Sequence, residues 1–168
     1  MAQFTVRRAR TADVPGIIAV VETYASQRIL LGKERVEFYE AIQEFRVAES
    51  DGVIVGCGAL HVMWEDLGEV RTLAASPDWR GQGIGHALLE ALVADARDVG
   101  LQRLFCLTFE TEFFAAHGFA DMGNETVDPE LYAELLRSHD EGVAEFLDLA
   151  RVKQNTLGNS RMLLRLGA

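Results

Sequence analysis

The chain reads Asp78-Trp79-Arg80-Gly81-Gln82-Gly83-Ile84-Gly85-His86-Ala87-Leu88-Leu89, directly after Pro77 and an apolar run at 70–75. Helix starts expose backbone N–H groups that have no partner within the helix, and these groups together with the helix dipole attract anions. Glycines allow the backbone to approach a ligand closely, and Arg80 adds a positive charge beside the turn. The stretch therefore predicts a pyrophosphate site where a glycine-rich turn enters a helix.

The spacing of the glycines distinguishes between the known kinds of pyrophosphate-binding motif. A nucleotide-triphosphate loop needs Gly-Lys followed by Ser or Thr, and this turn contains neither. A dinucleotide fingerprint needs a glycine where His86 stands. The pattern that fits is Arg-x-x-Gly-x-Gly, formed by Arg80, Gly83 and Gly85. It resembles the acetyl-CoA signature of the GCN5-related N-acetyltransferase superfamily, and the alternative is an ordinary glycine-rich turn before a helix.

The length and composition of the chain limit the classes of protein to which it can belong. Its 168 residues are enough for one domain with a real core, spanning 1–168. A net charge of −10 argues against nucleic acid as a partner through a general basic surface. No run reaches the length of a membrane span and the N-terminus lacks an apolar signal region, so we expect a cytoplasmic protein with no membrane partner. Cys57 and Cys106 are expected to be buried free thiols, and no Cys/His cluster has the spacing of a metal site.

Hydrophobic periodicity predicts strands mixed with helices along the chain. Strands are predicted at 4–8, 45–49, 53–61, 67–75, 104–108 and 160–166. Helices are predicted at 11–24 and 34–43, from the glycine turn to Gly100, and at 112–117, 130–138 and 141–150. Ser50-Asp51-Gly52 predicts a hairpin turn. This order resembles the fold of the same superfamily, an α/β (α+β) architecture with a mixed, mostly antiparallel central sheet flanked by helices.

Further segments resemble one branch of that superfamily. These segments are Ile54-Val55-Gly56-Cys57-Gly58-Ala59-Leu60, Gly68-Glu69-Val70-Arg71-Thr72-Leu73-Ala74, 100–108 and the tail at 152–164. They are similar to the acetyltransferase domain of N-acetylglutamate synthases, and the tail is similar to the stand-alone short form of actinobacteria. The resemblance implies transfer of an acetyl group from acetyl-CoA to the α-amino group of L-glutamate or L-glutamine, the first step of arginine biosynthesis. It also implies a homodimer, and the chain has no room for the amino-acid-kinase domain of the larger members.

The resemblance places acetyl-CoA on backbone N–H groups. The thioester carbonyl would accept from those near Leu73, Ala74 and Ala75. The pyrophosphate would bind beside Arg80, at the N–H groups of Gln82, Gly83, Ile84, Gly85 and His86.

The resemblance also assigns the acid–base chemistry. Glu69 occupies the position of a general base, which would act directly or through one water when burial raises its pKa. Glu65, Asp66 and Glu110 are spare carboxylates, and an exposed strand glutamate is the alternative interpretation of Glu69. Many members protonate the leaving thiolate with a tyrosine at the position of Phe114, so the acid is unassigned, with Tyr132 or Cys106 as substitutes if the fold brings them close.

Recognition of the amino acid needs cationic or donating groups for its carboxylates. The candidates are Lys33, Arg35, Arg71, Thr72, Lys153 and Ser160, and a solvated surface charge is the alternative for each basic residue. Strand alternation puts Glu69 and Arg71 on one face and Thr72 on the other unless a bulge intervenes. The larger enzymes read Arg-x-Ser where this chain has Gly158-Asn159-Ser160, which makes glutamine a serious competitor of glutamate.

Two other functions fit the same residues. One is an acetyltransferase for another amine, such as a protein N-terminus or a polyamine. The other is a non-catalytic acyl-CoA-binding module, which would bind acetyl-CoA without releasing CoA in response to an acceptor.

Overall fold

Two compact groups of residues make up the computed structural model of the chain, which describes residues 3–25, 34–123, 127–147 and 160–167. Unit 1 comprises Met1–His61 and Val70–Val99, and unit 2 comprises Val62–Glu69 and Gly100–Ala168. Two of the boundaries fall after His61 and after Glu69, inside two neighbouring strands of the chain, so each of these strands has residues in both units.

The described strands and helices have the following bounds. The strands are β1 (Thr5–Arg8), β2 (Phe45–Ser50), β3 (Val53–Val62), β4 (Leu67–Ala75), β5 (Arg103–Thr108), β6 (Ala120–Asp121) and β7 (Ser160–Arg165). The α-helices are α1 (Val14–Ala25), α2 (Arg35–Glu40), α3 (Ile84–Val99), α4 (Thr111–Ala116), α5 (Pro129–Leu135) and α6 (Glu141–Phe146). Short 3-10 turns occupy Thr11–Asp13, Ile42–Glu44 and Pro77–Trp79. No helix of the described ranges is both long and apolar enough to cross a membrane.

The seven strands form one sheet in the order β1-β2-β3-β4-β5-β7-β6. In unit 1, β1 pairs with β2 and β2 with β3, both antiparallel, and a bulge shifts the second register between Ala48 and Glu49. In unit 2, β4 pairs with β5 in parallel through Leu67–Glu69, while β7 pairs antiparallel with β5 and β6. The mixed, mostly antiparallel sheet predicted from the sequence is confirmed.

Each unit has its own apolar core. In unit 1, α1 and α2 pack on one cluster of buried side chains, which is Val14, Ile17, Val20, Val21, Phe38, Phe45, Val47, Cys57, Ala59 and Ala74. In the same unit, α3 packs on the sheet through a second cluster, which consists of Ala48, Val55, Ile84 and Leu88. In unit 2, α5 and α6 pack on Leu67, Phe105, Met122, Leu131, Leu135, Val143, Phe146 and Leu163.

An ion pair strengthens the packing of α3 on the sheet. The guanidinium of Arg46 on β2 donates to both carboxylate oxygens of Asp95 on α3, at 2.8 and 2.6 Å. The hydrogen bonds to Asp95 raise the pKa of Arg46 above its ordinary value. Bidentate pairs of this kind fix geometry as well as charge, so α3 is held at a defined height along the sheet.

The predicted strand at 67–75 has the bounds of β4, and the predicted hairpin turn is confirmed by positive φ angles at Asp51 (50°) and Gly52 (80°). The predicted helix at 34–43 was too long, because Ala41 leaves helical geometry (φ −103°, ψ 11°) and a 3-10 turn follows. The helix predicted at 141–150 ends as α6 at Phe146, and its positions 148–150 lie outside the described residues.

Gly56 on β3 packs tightly against the start of α3. A Cβ built on Gly56 would lie 2.5 Å from Ile84 Cγ2 and 3.2 Å from the carbonyl oxygen of Ala74. Gly56→Ala is therefore expected to lower the free energy of unfolding by about 1–3 kcal/mol, as overpacked cores do. Urea denaturation measures this loss.

A double-mutant cycle controls for other causes of that loss. Ile84→Ala removes the methyl group that the new Cβ would meet, at the cost of a cavity. In the Gly56→Ala background, the further substitution Ile84→Ala should cost less than it does alone. Strictly additive losses would show that the contact between positions 56 and 84 is not the cause.

Candidate active site

A break in strand geometry at Thr72 divides β4 into two segments. Thr72 has a φ of 56°, a left-handed conformation that costs non-glycine residues on the order of 1–3 kcal/mol. Its carbonyl oxygen accepts a hydrogen bond from the buried thiol of Cys57 on β3, with Sγ and O 3.4 Å apart. Regular side-chain alternation therefore ends at Thr72, which is the bulge alternative left open by the sequence.

The segment after Thr72 leads into the glycine turn within unit 1. Leu73 packs on the cluster beneath α3, Ala74 is buried, and Ala75 ends the strand. The N–H of Ser76 then donates to the carbonyl oxygen of Val55 at 2.8 Å. The strand end and the start of the turn are therefore held firmly against β3.

The glycine turn leads directly into the first turn of α3. Gly81 and Gly83 have φ angles of 76° and 84°, which glycine adopts without steric cost. Ala87 donates to the carbonyl oxygen of Gly83 at 3.0 Å, so the helix begins immediately after Gly83. The first amides of a helix have no partner within it, and Gly83 has no side chain to cap them. Ile84, Gly85 and His86 occupy these first positions of α3.

Arg80 lies beside this turn with its guanidinium exposed. The guanidinium carbon is 5.9 Å from the centroid of the Tyr24 ring. Trp79, the preceding residue, packs edge-on against Phe4 at a centroid distance of 6.4 Å. Among the described residues Arg80 forms no ion pair, so its charge is available to an anion at the turn.

Glu69 is a buried carboxylate in unit 2. It lies on β4 opposite Phe105 of β5 and is 6% exposed. The interpretation of Glu69 as an exposed strand residue is therefore wrong. A carboxyl group with so little access to water is suited to exchanging a proton with a bound ligand.

Cys106 on β5 is held as a neutral thiol. Burial raises its pKa well above the ordinary value, and the charge of Glu69 raises it further. The thiolate, which is the nucleophilic form, is therefore suppressed. Phe114 is buried against Phe113 and Phe119, so this position holds an apolar ring that has no proton to give.

The predicted amino-acid contacts are distributed over both units. Arg71 and Thr72 are half-buried on β4, and Arg35 is exposed at the start of α2, all in unit 1. Ser160 begins β7 in unit 2, paired with the buried Thr108 of β5. Lys33 and Lys153 lie outside the described residues. Within the part of the chain that the structure describes, no group of three or more His, Cys, Asp or Glu side chains could hold a metal ion.

Arg161 has a role that the sequence did not reveal. Its guanidinium donates to the carbonyl oxygens of Glu145 (3.0 Å), Phe146 and Gly123 (3.3 Å). The bonds to Glu145 and Phe146 cap the end of α6. Its partners lie 15 to 38 residues away in the chain, so no local sequence pattern predicts these hydrogen bonds.

The pKa of Cys106 predicts a stability change in alkaline solution. Above about pH 9 the unfolded thiol ionises while the folded thiol keeps its proton, so the unfolded state binds fewer protons and stability falls as pH rises. The contribution approaches about 1.4 kcal/mol per pH unit. Urea denaturation between pH 8 and 10.5 should show this fall in the unmodified protein relative to Cys106→Ala. Parallel curves for the two proteins would contradict the assignment.

Comparison with known proteins identifies the family. Residues 18–123 match the acetyltransferase (GNAT) family. The chain is 60% identical to the amino-acid acetyltransferase of Mycobacterium tuberculosis (strain ATCC 25618 / H37Rv), over 95% of this chain and 92% of that protein. A crystal structure from Mycobacterium tuberculosis in complex with CoA and NLQ superposes with a TM-score of 0.92 and 59% identity, covering 97% and 99% of the two chains. N-acetylglutamate synthase from Neisseria gonorrhoeae, complexed with CoA and N-acetyl-glutamate, superposes with a TM-score of 0.76 and 29% identity, and this chain spans 36% of its length. The chain belongs to the acetyltransferase (GNAT) family.

Proposed function

We propose that this acetyltransferase moves the acetyl group of acetyl-CoA to the α-amino group of L-glutamate or L-glutamine, with Glu69 as general base. The observation that carries the proposal is the buried Glu69 carboxylate, on the same strand that leads into the glycine turn. The names and ligands of the related proteins support an amino acid as acceptor and CoA as the carrier.

Acetyl-CoA would bind through the backbone of unit 1. Its pyrophosphate would accept from the N–H groups of 82–86, with Arg80 adding charge. Its thioester carbonyl would accept from N–H groups near 73–75, which follow the left-handed Thr72. Donors fixed in this way stabilise the oxyanion that forms when the carbonyl carbon is attacked.

The reaction is a direct transfer in this proposal. The acceptor arrives as an ammonium ion, and the Glu69 carboxylate takes one proton from it, directly or through a water molecule. The free amine attacks the thioester carbon and the new C–N bond forms. The nitrogen then loses its second proton to water, and the C–S bond breaks with its electron pair on sulfur. CoA leaves as the thiolate and takes its proton from water.

The acceptor carboxylates would be held by basic and donating groups. Arg71 and Arg35 can grip a carboxylate with two N–H groups, and Ser160 and Thr72 can donate single hydrogen bonds. The replacement of the Arg-x-Ser pattern by Gly158-Asn159-Ser160 makes glutamine a serious competitor of glutamate, because the glutamine amide needs a donor and an acceptor instead of a cation. A cytoplasmic homodimer at the first step of arginine biosynthesis completes the proposal.

An acceptor panel tests the proposed substrate class. CoA release from acetyl-CoA would be followed with a colorimetric thiol reagent for each L-amino acid, for spermidine and for a short peptide. We expect saturable release with glutamate or glutamine alone, and the ratio of their kcat/KM values identifies the preferred one. Release with peptide or spermidine alone would replace the amino-acid assignment, and tight acetyl-CoA binding without any release would favour a binding module.

Glu69→Gln tests the general base. Positioned bases contribute about 10²- to 10⁴-fold, so kcat near pH 7 should fall by about that factor, while KM for acetyl-CoA stays within about two-fold. The rate of the variant should rise with pH, because more of the acceptor is then already deprotonated. Glu65→Gln is the matched control, since Glu65 is an exposed carboxylate that precedes the same strand. Unchanged kcat in Glu69→Gln would remove Glu69 from the mechanism, and a loss in Glu65→Gln would move the base there.

A further inference from the structure

We propose that Tyr24 on α1 is a positioning residue for acetyl-CoA, which holds Arg80 and the end of β4 in the arrangement that receives the pyrophosphate. This inference rests on the proposed function, because it takes the glycine turn as the pyrophosphate site. All the contacts that carry it lie within unit 1.

The hydroxyl group of Tyr24 is fixed to the end of β4. It donates a hydrogen bond to the carbonyl oxygen of Ala75, 51 residues along the chain. The next residue, Ser76, donates its own N–H to the carbonyl oxygen of Val55 on β3 at 2.8 Å. The peptide that joins Ala75 to Ser76 is thus bonded on both sides, and this fixes the point from which the glycine turn departs.

The ring of Tyr24 contacts Arg80, the charged residue of the turn. The guanidinium carbon of Arg80 is 5.9 Å from the ring centroid, within the range of a cation–π contact. Arg80 is exposed, and an exposed arginine otherwise samples many rotamers that binding must restrict. A contact with the ring face restrains the guanidinium and leaves its N–H edge available to phosphate oxygens.

One side chain therefore couples two parts of the site. The hydrogen bond from the Tyr24 hydroxyl to Ala75 sets the position of the ring. A movement of the strand end would therefore also move the ring against which Arg80 packs. Trp79 anchors the intervening turn separately, through its edge-on contact with Phe4. Tyr24 on α1 therefore contacts both the end of β4, at Ala75, and the glycine turn, at Arg80.

Two substitutions separate the contacts. Tyr24→Phe removes the hydrogen bond and keeps the ring, and Tyr24→Leu removes both. KM for acetyl-CoA is expected to rise about 3- to 5-fold in Tyr24→Phe and about 10-fold or more in Tyr24→Leu. In both variants kcat and KM for the amino acid should stay within about two-fold. Tyr39→Leu is the matched control, because Tyr39 is an exposed tyrosine on α2.

A truncated donor distinguishes positioning from general damage. S-acetylpantetheine carries the thioester but lacks the pyrophosphate and the nucleotide, so Tyr24→Leu should leave kcat/KM for this donor unchanged. An equal loss with both donors would overturn the inference. Tyr24→Phe preserves the ring and the packing of α1, so it keeps the test valid if Tyr24→Leu melts at a much lower temperature.

Arg80→Ala separates this inference from the proposed function. The inference expects Arg80→Ala to raise KM for acetyl-CoA, and in that background Tyr24→Phe and Tyr24→Leu should give the same KM. Normal acetyl-CoA kinetics in Tyr24→Leu, together with a raised KM in Arg80→Ala, would overturn the role of Tyr24 alone. Unchanged KM in Arg80→Ala would overturn the pyrophosphate assignment and the inference with it.

Discussion

The absence of a side chain at Gly56 is the constraint on which the position of the glycine turn depends. Only 2.5 Å separates the place of a Cβ at Gly56 from Ile84, the first residue of α3, so the start of that helix lies directly against β3. Ser76 is bonded to β3 as well, at Val55. The turn between Ser76 and Ile84 therefore has both ends fixed on the same strand. Its left-handed glycines then direct the first amides of α3 to a defined place.

β4 carries different features on either side of Thr72. Before Thr72 the strand carries a buried carboxylate, Glu69, and after Thr72 it leads into the glycine turn. A left-handed residue in a strand is costly, and the thiol of Cys57 bonds the carbonyl oxygen of that residue. Strain of this kind persists only where the surroundings hold it, so the bond from Cys57 on β3 helps to keep Thr72 in this conformation.

The sequence predicted the parts that have local patterns. The bounds of β4, the hairpin turn at Asp51 and the glycine turn before α3 all follow from periodicity and from residues suited to positive φ. Tyr24 and Arg161 could not be predicted, because their partners are distant in the chain and any polar or aromatic residue would have fitted the local pattern. The two-residue strand β6 was missed because it exists only through its pairing with β7. Long-range contacts, and not local propensity, place the residues that support the site.

The protonation of the leaving thiolate is limited by the environment of Cys106. Phe114 has no proton to give, and Cys106 is the described thiol whose pKa responds to the charge of Glu69. Burial, followed by that charge, raises the pKa of Cys106 far above the value of about 8.5 of an ordinary thiol, so proton transfer from it to a CoA thiolate is uphill. A neutral Glu69 would remove the smaller of the two causes and leave burial in place. In the transfer proposed above, this environment is consistent with departure of CoA as the anion and with water as the final proton donor.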